Sequence, residues 1–291
     1  MAYTGRMGSP APDNREQEIA RHYSHGSLVK TIFDAMKAAG IDPERASADD
    51  FSAFDEFHSG GRAATADLAA EMDVAPGMRL LDVGSGIGGP ARYFAAHRGC
   101  LVTGIDLSGE FCDAAKAISS RTGLGDRTEF RQASAQALPF DDAMFDAAYL
   151  LHVGMNIPAK AEVFREVARV LRLGAVFGIF DVMREDGGEL IFPLPWASSS
   201  EMSFVECAKD YGEYLRAAGF EIEQERSRRE FALTAFSKLR AAVEAAGAAG
   251  APPPPGPQIL MGPSAPVKVG NLVRMMQGGV LAPVEIVSRK R

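Results

Sequence analysis

The stretch Leu80-Leu81-Asp82-Val83-Gly84-Ser85-Gly86-Ile87-Gly88-Gly89 carries the reading of the fold. Its first four residues form a short apolar run that stops at glycines, which predicts a buried strand followed by a tight turn. Glycine has no Cβ, so such a turn can bend sharply and let a ligand approach the backbone. Gly84, Gly86 and Gly89 have the G-x-G-x-x-G spacing of dinucleotide enzymes. Asp82, Gly84, Gly86 and Gly88 form D-x-G-x-G-x-G in the same ten residues.

Outward from this turn, strand and helix signals alternate. Ala91 to His97 suits a helix, Cys100 to Ile105 a second strand ending at Asp106, and Ser108 can cap a helix running through Ser119. Thr128 to Arg131, Phe145 to Leu151 and Ala175 to Val182 read as the third, fourth and fifth strands. Between the last two, Val163, Phe164, Val167, Val170 and Leu171 stripe a helix expected over Pro158 to Arg172. Such alternation implies a parallel sheet covered on both faces, with ligands beyond the carboxyl ends of the strands. After a loop containing Pro193-Leu194-Pro195-Trp196, a helix is expected from Ala208 to Ala218, a strand from Phe220 to Glu225 and a helix from Phe231 to Ala246. An Ala/Gly/Pro linker at 247–257, a helix near Val267 to Gln277 and a final strand from Val280 to Val287 complete the chain. Upstream, Ser27 can cap a helix that places Leu28, Val29, Ile32, Phe33 and Met36 on one face; Pro43 to Phe57 has room for a short helix, and Arg62 to Met72 reads as another.

Composition narrows the function. The 291 residues carry a net charge of −7, which argues against a nucleic-acid partner, since that role needs clustered Lys and Arg. No apolar run is long enough to span a bilayer, and Met1 to Glu16 lacks the apolar core of a secretion signal. Cys100, Cys112 and Cys207 have no metal-ligand spacing, and their odd number suits a reducing compartment. The expected setting is the cytoplasm, the expected partner a small molecule, and no metal is expected.

The D-x-G-x-G-x-G pattern, Asp106 and the later Leu138-Pro139-Phe140 with Phe145-Asp146 resemble class I S-adenosylmethionine-dependent methyltransferases of the type 11 group. The resemblance implies a seven-stranded, mostly parallel Rossmann-like α/β sheet with helices on both faces, and S-adenosylmethionine as cofactor with S-adenosylhomocysteine as product. A carboxylate at position 82 suits this cationic ligand and would oppose the pyrophosphate of a dinucleotide. Asp106 and Leu107 are expected near the ribose, Gly84, Ser85 and Gly86 near the methionine end, and Ser134, Ala135, Gln136 and Leu151 around the rest of the cofactor. Ser134 stands where the family usually has an aspartate that reads adenine.

A narrower resemblance, carried by His22-Tyr23-Ser24, Ser59-Gly60-Gly61 and Leu151-His152, is to phosphoethanolamine and glycine-betaine-forming N-methyltransferases, while Pro193-Leu194-Pro195-Trp196 with Ser203-Phe204 resembles sarcosine/dimethylglycine methyltransferases. It implies Tyr23 and His152 as a catalytic pair and Ser59, Gly60 and Gly61 as a clamp on the cofactor. His152 also qualifies on its own: it follows the fourth strand, at the ligand edge of the sheet, and an imidazole titrates near neutrality. Phosphobase enzymes carry an acid four residues before this histidine; here the residue is Ala148, which argues against a phosphorylated amine. Asn156, Asp181 and Trp196 join His152 as candidate acceptor contacts. His58 is placed to touch the cofactor, His22 and His25 are expected to be exposed, and Met261, Met275 and Met276 to pack or line an apolar wall.

The domain reading is a leader at 1–15, a helical lid at 16–75, the catalytic core at 76–228, a helical insert at 229–279 and a closing strand at 280–291. The expected reaction is methyl transfer to nitrogen or oxygen of a small acceptor, by in-line displacement with His152 as base. Carbon methylation, a nicotinamide-dependent oxidoreductase and a non-catalytic binding module are the rivals.

Overall fold

A computed structural model of the chain describes residues 16, 28–185, 187–251, 254, 256 and 258–291. Seven strands form one sheet in the order β3-β2-β1-β4-β5-β7-β6: β1 Arg79–Val83, β2 Leu101–Asp106, β3 Thr128–Gln132, β4 Phe145–Leu151, β5 Leu171–Arg184, β6 Phe220–Ser227 and β7 Leu281–Lys290. The first five are mutually parallel, and β7 runs antiparallel between β5 and β6. β1 is flanked by β2 on one side and β4 on the other, so the chain order reverses there. That reversal opens a crevice beyond the carboxyl ends of β1 and β4, where open α/β sheets bind ligands.

The principal helices are α1 Leu28–Ala38, α2 Arg62–Glu71, α3 Gly89–His97, α4 Gly109–Arg121, α5 Lys160–Val170, α6 Ala208–Ala217, α7 Arg229–Ala248 and α8 Ala265–Gln277. The α5 stripe is buried through Val163, Phe164 and Val167, packed in one cluster with Phe177 and Ile179 of β5. On the other face Leu68, Met72 and Phe94 of α2 and α3 pack with Tyr149 and Phe180. α1 buries Leu28, Ile32 and Met36 in a separate cluster with Phe111 and Ile118 of α4. The expected cap of α1, Ser27, lies outside the described residues; the Leu28 N–H donates to Glu110 Oε1 at 3.2 Å.

β5 and β7 are longer than the sequence pattern predicts. β5 starts at Leu171, which pairs with Phe145 across an irregularity in β4, and its far end is held to Arg184 by β7. β7 continues to Lys290 because β6 pairs with it as far as Phe220. The 229–279 insert supplies α7 and α8, and Met275 and Met276 pack with Leu194, Trp196 and Ala232. No helix among the described residues is long and apolar enough to cross a membrane.

Candidate functional site

The glycine turn follows β1 directly. Gly84, Gly86 and Gly88 have φ of +79°, +52° and +81°, a region L side chains rarely enter. The Gly84 and Ser85 N–H groups both donate to Ile105 O, at 2.9 and 2.8 Å, locking the turn to the end of β2. Asp106 completes the lock: its carboxylate accepts from Gly86 N–H and from Ser108 N–H, both at 2.9 Å. A carboxylate has about four lone-pair positions, so these backbone bonds leave room for a ligand hydroxyl. Burial pushes the Asp106 carboxyl up to about 6, opposed by these backbone bonds.

The turn opens into a cavity of about 1220 Å³ at the crevice. Ser59, Gly60, Gly61, Asp82, Ser85, Leu107, Ala135, Gln136 and Leu151 all line it with Gly84, Gly86 and Asp106. Asp82 is 1% exposed, and its Oδ2 has no hydrogen-bond partner. Its ladder neighbour Tyr149 turns its hydroxyl toward this carboxyl, and the Ser85 Oγ has no partner. Burial raises the Asp82 carboxyl to about 8; the nearby Tyr149 opposes this, and the charges of Asp106 and Glu56 add to it. A buried carboxyl with an unpaired oxygen, flanked by other acids at a glycine-rich turn, fits a ligand that brings an ammonium or sulfonium, and does not fit a pyrophosphate.

Ser134 lies just behind the cavity wall. Its hydroxyl donates to Glu16, a cavity-lining residue, and the Gln136 amide donates to the same oxygen at 3.1 Å. The β3 edge, which lacks an aspartate of its own, thus receives a carboxylate from 118 residues away. Nothing local in the sequence signals this. Asp55 is another residue legible only in three dimensions. It accepts from Arg92 Nη2 at 2.7 Å, while that guanidinium, fully enclosed, also donates to Ile87 O in the glycine turn at 2.7 Å. The segment before α2 is therefore bolted to the turn.

His152 sits at φ +54° immediately after β4, its N–H donating to Phe180 O at 2.8 Å. The ring stacks on Phe180 at 5.2 Å and meets His58 edge-on at 5.9 Å; both imidazoles line the cavity. His152 Nε2 has no partner. Burial, with the His58 charge second, holds its pKa well below the ordinary value, so the neutral imidazole dominates. His58 is lowered to about 4 by burial and contacts Gly61 O through Nε2 at 3.0 Å. Asn156 and Trp196 also line the cavity; the Asn156 amide donates to Val153 O, and the Trp196 indole to Ser203 Oγ at 3.0 Å.

The structure does not bring Asp181 to the cavity. It is fully enclosed, accepts from the Tyr211 hydroxyl at 2.7 Å, and packs under Gly154, where a Cβ would lie 2.3 Å from its carboxylate. It supports the loop that follows His152 from behind. Tyr23, His22 and His25 lie outside the described residues. Of the three methionines singled out in the insert, Met261 lines the cavity.

Residues 81–179 match the family model described as Methyltransferase domain, a span that runs from β1 into β5 and contains Asp82, the glycine turn, Asp106 and His152. That segment is similar to the methyltransferase domain family, and the fold built around it is one shared with solved methyltransferases. Among curated relatives, the methyltransferase GfsG of Streptomyces halstedii is 31% identical over 172 residues, 59% of this chain and 60% of that protein. The chain thus spans about three-fifths of that relative's length. Among solved structures, the geranyl diphosphate C-methyltransferase of Streptomyces coelicolor A3(2) superposes with a TM-score of 0.71 at 18% identity, over 97% of this chain and 100% of that one. The [4+2]-cyclase SpnF superposes with a TM-score of 0.67 at 24% identity, over 97% of this chain and 98% of that one.

Proposed function

We propose that the chain is an S-adenosylmethionine-dependent methyltransferase that methylates a nitrogen or oxygen of a small-molecule acceptor. One observation carries the reading. A buried carboxyl with one unpaired oxygen, Asp82, and a neutral imidazole with an unpaired Nε2, His152, belong to residues that line the same cavity beside a turn of positive-φ glycines.

Asp82 and Ser85 would hold the methionine end, Ser59 to Gly61 would close over it, Asp106 and Leu107 would take the ribose, and Ala135, Gln136 and Leu151 would bound the rest, with Glu16 and Ser134 at the adenine edge. S-adenosylmethionine supplies a methyl group on a sulfonium, already activated toward a nucleophile. The protein's share is orientation and exclusion of water, and alignment of reactants recovers roughly 7–11 kcal/mol of a bimolecular barrier. His152 Nε2 takes the proton the acceptor loses, a role that contributes roughly 10²–10⁴-fold. Burial keeps the imidazole unprotonated at neutral pH but also lowers its basicity, so the site rather than the free side chain must make the proton transfer favourable. Asn156 and Trp196 would orient the acceptor. Tyr23 remains the proposed partner of His152, by resemblance.

Carbon methylation is the second reading. It is favoured by the apolar wall that Phe236, Leu239 and Leu272 give the cavity and by the C-methyltransferase among the neighbours. His152 would then deprotonate carbon.

The experiment is a calorimetric titration with S-adenosylhomocysteine and, separately, with NAD, followed by a metabolite screen for S-adenosylhomocysteine release by wild type and His152→Ala. The expected result is binding of the homocysteine nucleoside, weakened by Asp106→Ala, and turnover lost in His152→Ala with cofactor affinity kept. Tight NAD binding without a response to the nucleoside would replace this reading with the oxidoreductase one. Nucleoside binding with no acceptor methylated would point to the cyclase-like use of the same fold.

A further inference from the structure

The part of the cavity wall supplied by the insert is apolar, with one exception. Phe236 and Leu239 come from α7, Leu260 from the short turn Gln258–Met261, and Val269 and Leu272 from α8. Lys268, on the buried face of α8, lines the cavity among them. It is 9% exposed and has no hydrogen bond or ion pair among the described residues. The neighbouring buried polar residue of the same helix, Asn271, is satisfied by Pro193 O at 3.0 Å. The other strongly basic residue of the wall, Arg62, is committed to Glu56 and Asp49.

The Lys268 stem is enclosed while its ammonium reaches the cavity, and an ammonium set in an apolar wall favours a paired anion, because desolvation penalises the lone charge. Here burial alone draws the Lys268 amine below its ordinary pKa, with no carboxylate to restore it. The acids that line the cavity are Glu16, Asp55, Glu56, Asp82 and Asp106, on the glycine-turn side or the N-terminal segment, and Glu162 at the start of α5; none of them pairs with Lys268. The missing counter-charge is therefore one that a ligand would bring into the apolar half.

Resting on the cavity's assignment as cofactor and acceptor site, we infer that Lys268 selects the acceptor by receiving a carboxylate carried on an otherwise apolar molecule. A lone lysine matches one negative charge; a diphosphate in the same place would keep most of its charge uncompensated within an apolar wall. The apolar residues around Lys268 would pack the body of the acceptor and hold it at a fixed depth relative to His152.

The test uses decanoate, decanamide and decyl phosphate as probes, titrated into the full chain with and without saturating S-adenosylhomocysteine. Wild type is expected to bind decanoate at least tenfold more tightly than the amide. Lys268→Met should abolish that preference with S-adenosylhomocysteine affinity unchanged, and Lys268→Arg should retain it in part. Decanoate should also slow trinitrophenylation of Lys268, read by peptide mass mapping. Equal affinity for acid and amide, a preference that survives Lys268→Met, binding of neither, or tighter binding of the phosphate would each overturn the inference. Loss of S-adenosylhomocysteine binding with the carboxylate preference intact would instead sink the methyltransferase reading and leave Lys268 as an anion site.

Discussion

Replacing Gly84 by alanine would build a Cβ 2.4 Å and 2.7 Å from the two methyls of Val153, at a backbone φ of +79°. Two penalties add. The left-handed conformation costs an L residue roughly 1–2 kcal/mol. Val153 is β-branched and stiff at χ1, so it cannot swing aside, and overpacking of this kind costs about 1–3 kcal/mol. The single variant should therefore lose about 2–5 kcal/mol of stability, the sum of these two ranges. Val153→Ala in the same chain removes the methyls but not the backbone strain. The double variant should recover about 1–3 kcal/mol relative to the sum of the singles, a coupling of the size seen between residues in contact. Urea unfolding followed by the fluorescence of Trp196, the chain's one tryptophan, measures all four members of the cycle. Val153 follows His152 directly, so Gly84→Ala should also displace the imidazole and weaken S-adenosylhomocysteine binding. If the two substitutions prove additive within about 0.5 kcal/mol, the turn and the β4 loop are not in contact and the site as described is wrong.

Asp55→Ala leaves the fully enclosed Arg92 without its carboxylate and should cost about 3–5 kcal/mol in the same denaturation assay, the usual result of breaking a buried pair from one side; a loss below about 1 kcal/mol would show the pair to be incidental. Asp82 carries a signature in pH. In the folded chain its carboxyl keeps its proton to about 8, whereas the ordinary value is 3.8, so between these limits the native state binds more protons than the unfolded one. Stability should consequently fall as pH rises through that window, and Asp82→Asn should flatten the decline. Denaturation curves at several pH values between 5.5 and 8.5 compare the two; equal slopes would mean that Asp82 is ionised in the free protein.

Periodicity made most of the scaffold legible. The α5 stripe from Val163 to Val170 and the alternation of strands with helices follow from local spacing, and both are present. So are the glycine turn and Asp106, because positive φ and close backbone packing select glycine whatever surrounds them. Strand ends were less legible. β5 and β7 run past their apolar cores because each is extended by the partner it pairs with, which no local pattern reports. Asp181 shows the same limit in the site. Its place at a strand end predicts an acceptor contact, yet the side chain turns to Tyr211, and the direction of a side chain at a strand end depends on what packs beneath it.

Chain chemistry alone determined that a parallel sheet would end in a ligand turn bearing a carboxyl at 82 and another at 106, since hydrophobic spacing and glycine act over a few residues. Tertiary structure alone decided that Glu16 would reach Ser134, that Asp55 would neutralise Arg92 behind the turn, and that Lys268 would face the cavity without a counter-ion. Charges report their partners only after the chain has closed the distance between them, because burial and pairing are properties of the fold rather than of neighbours in sequence.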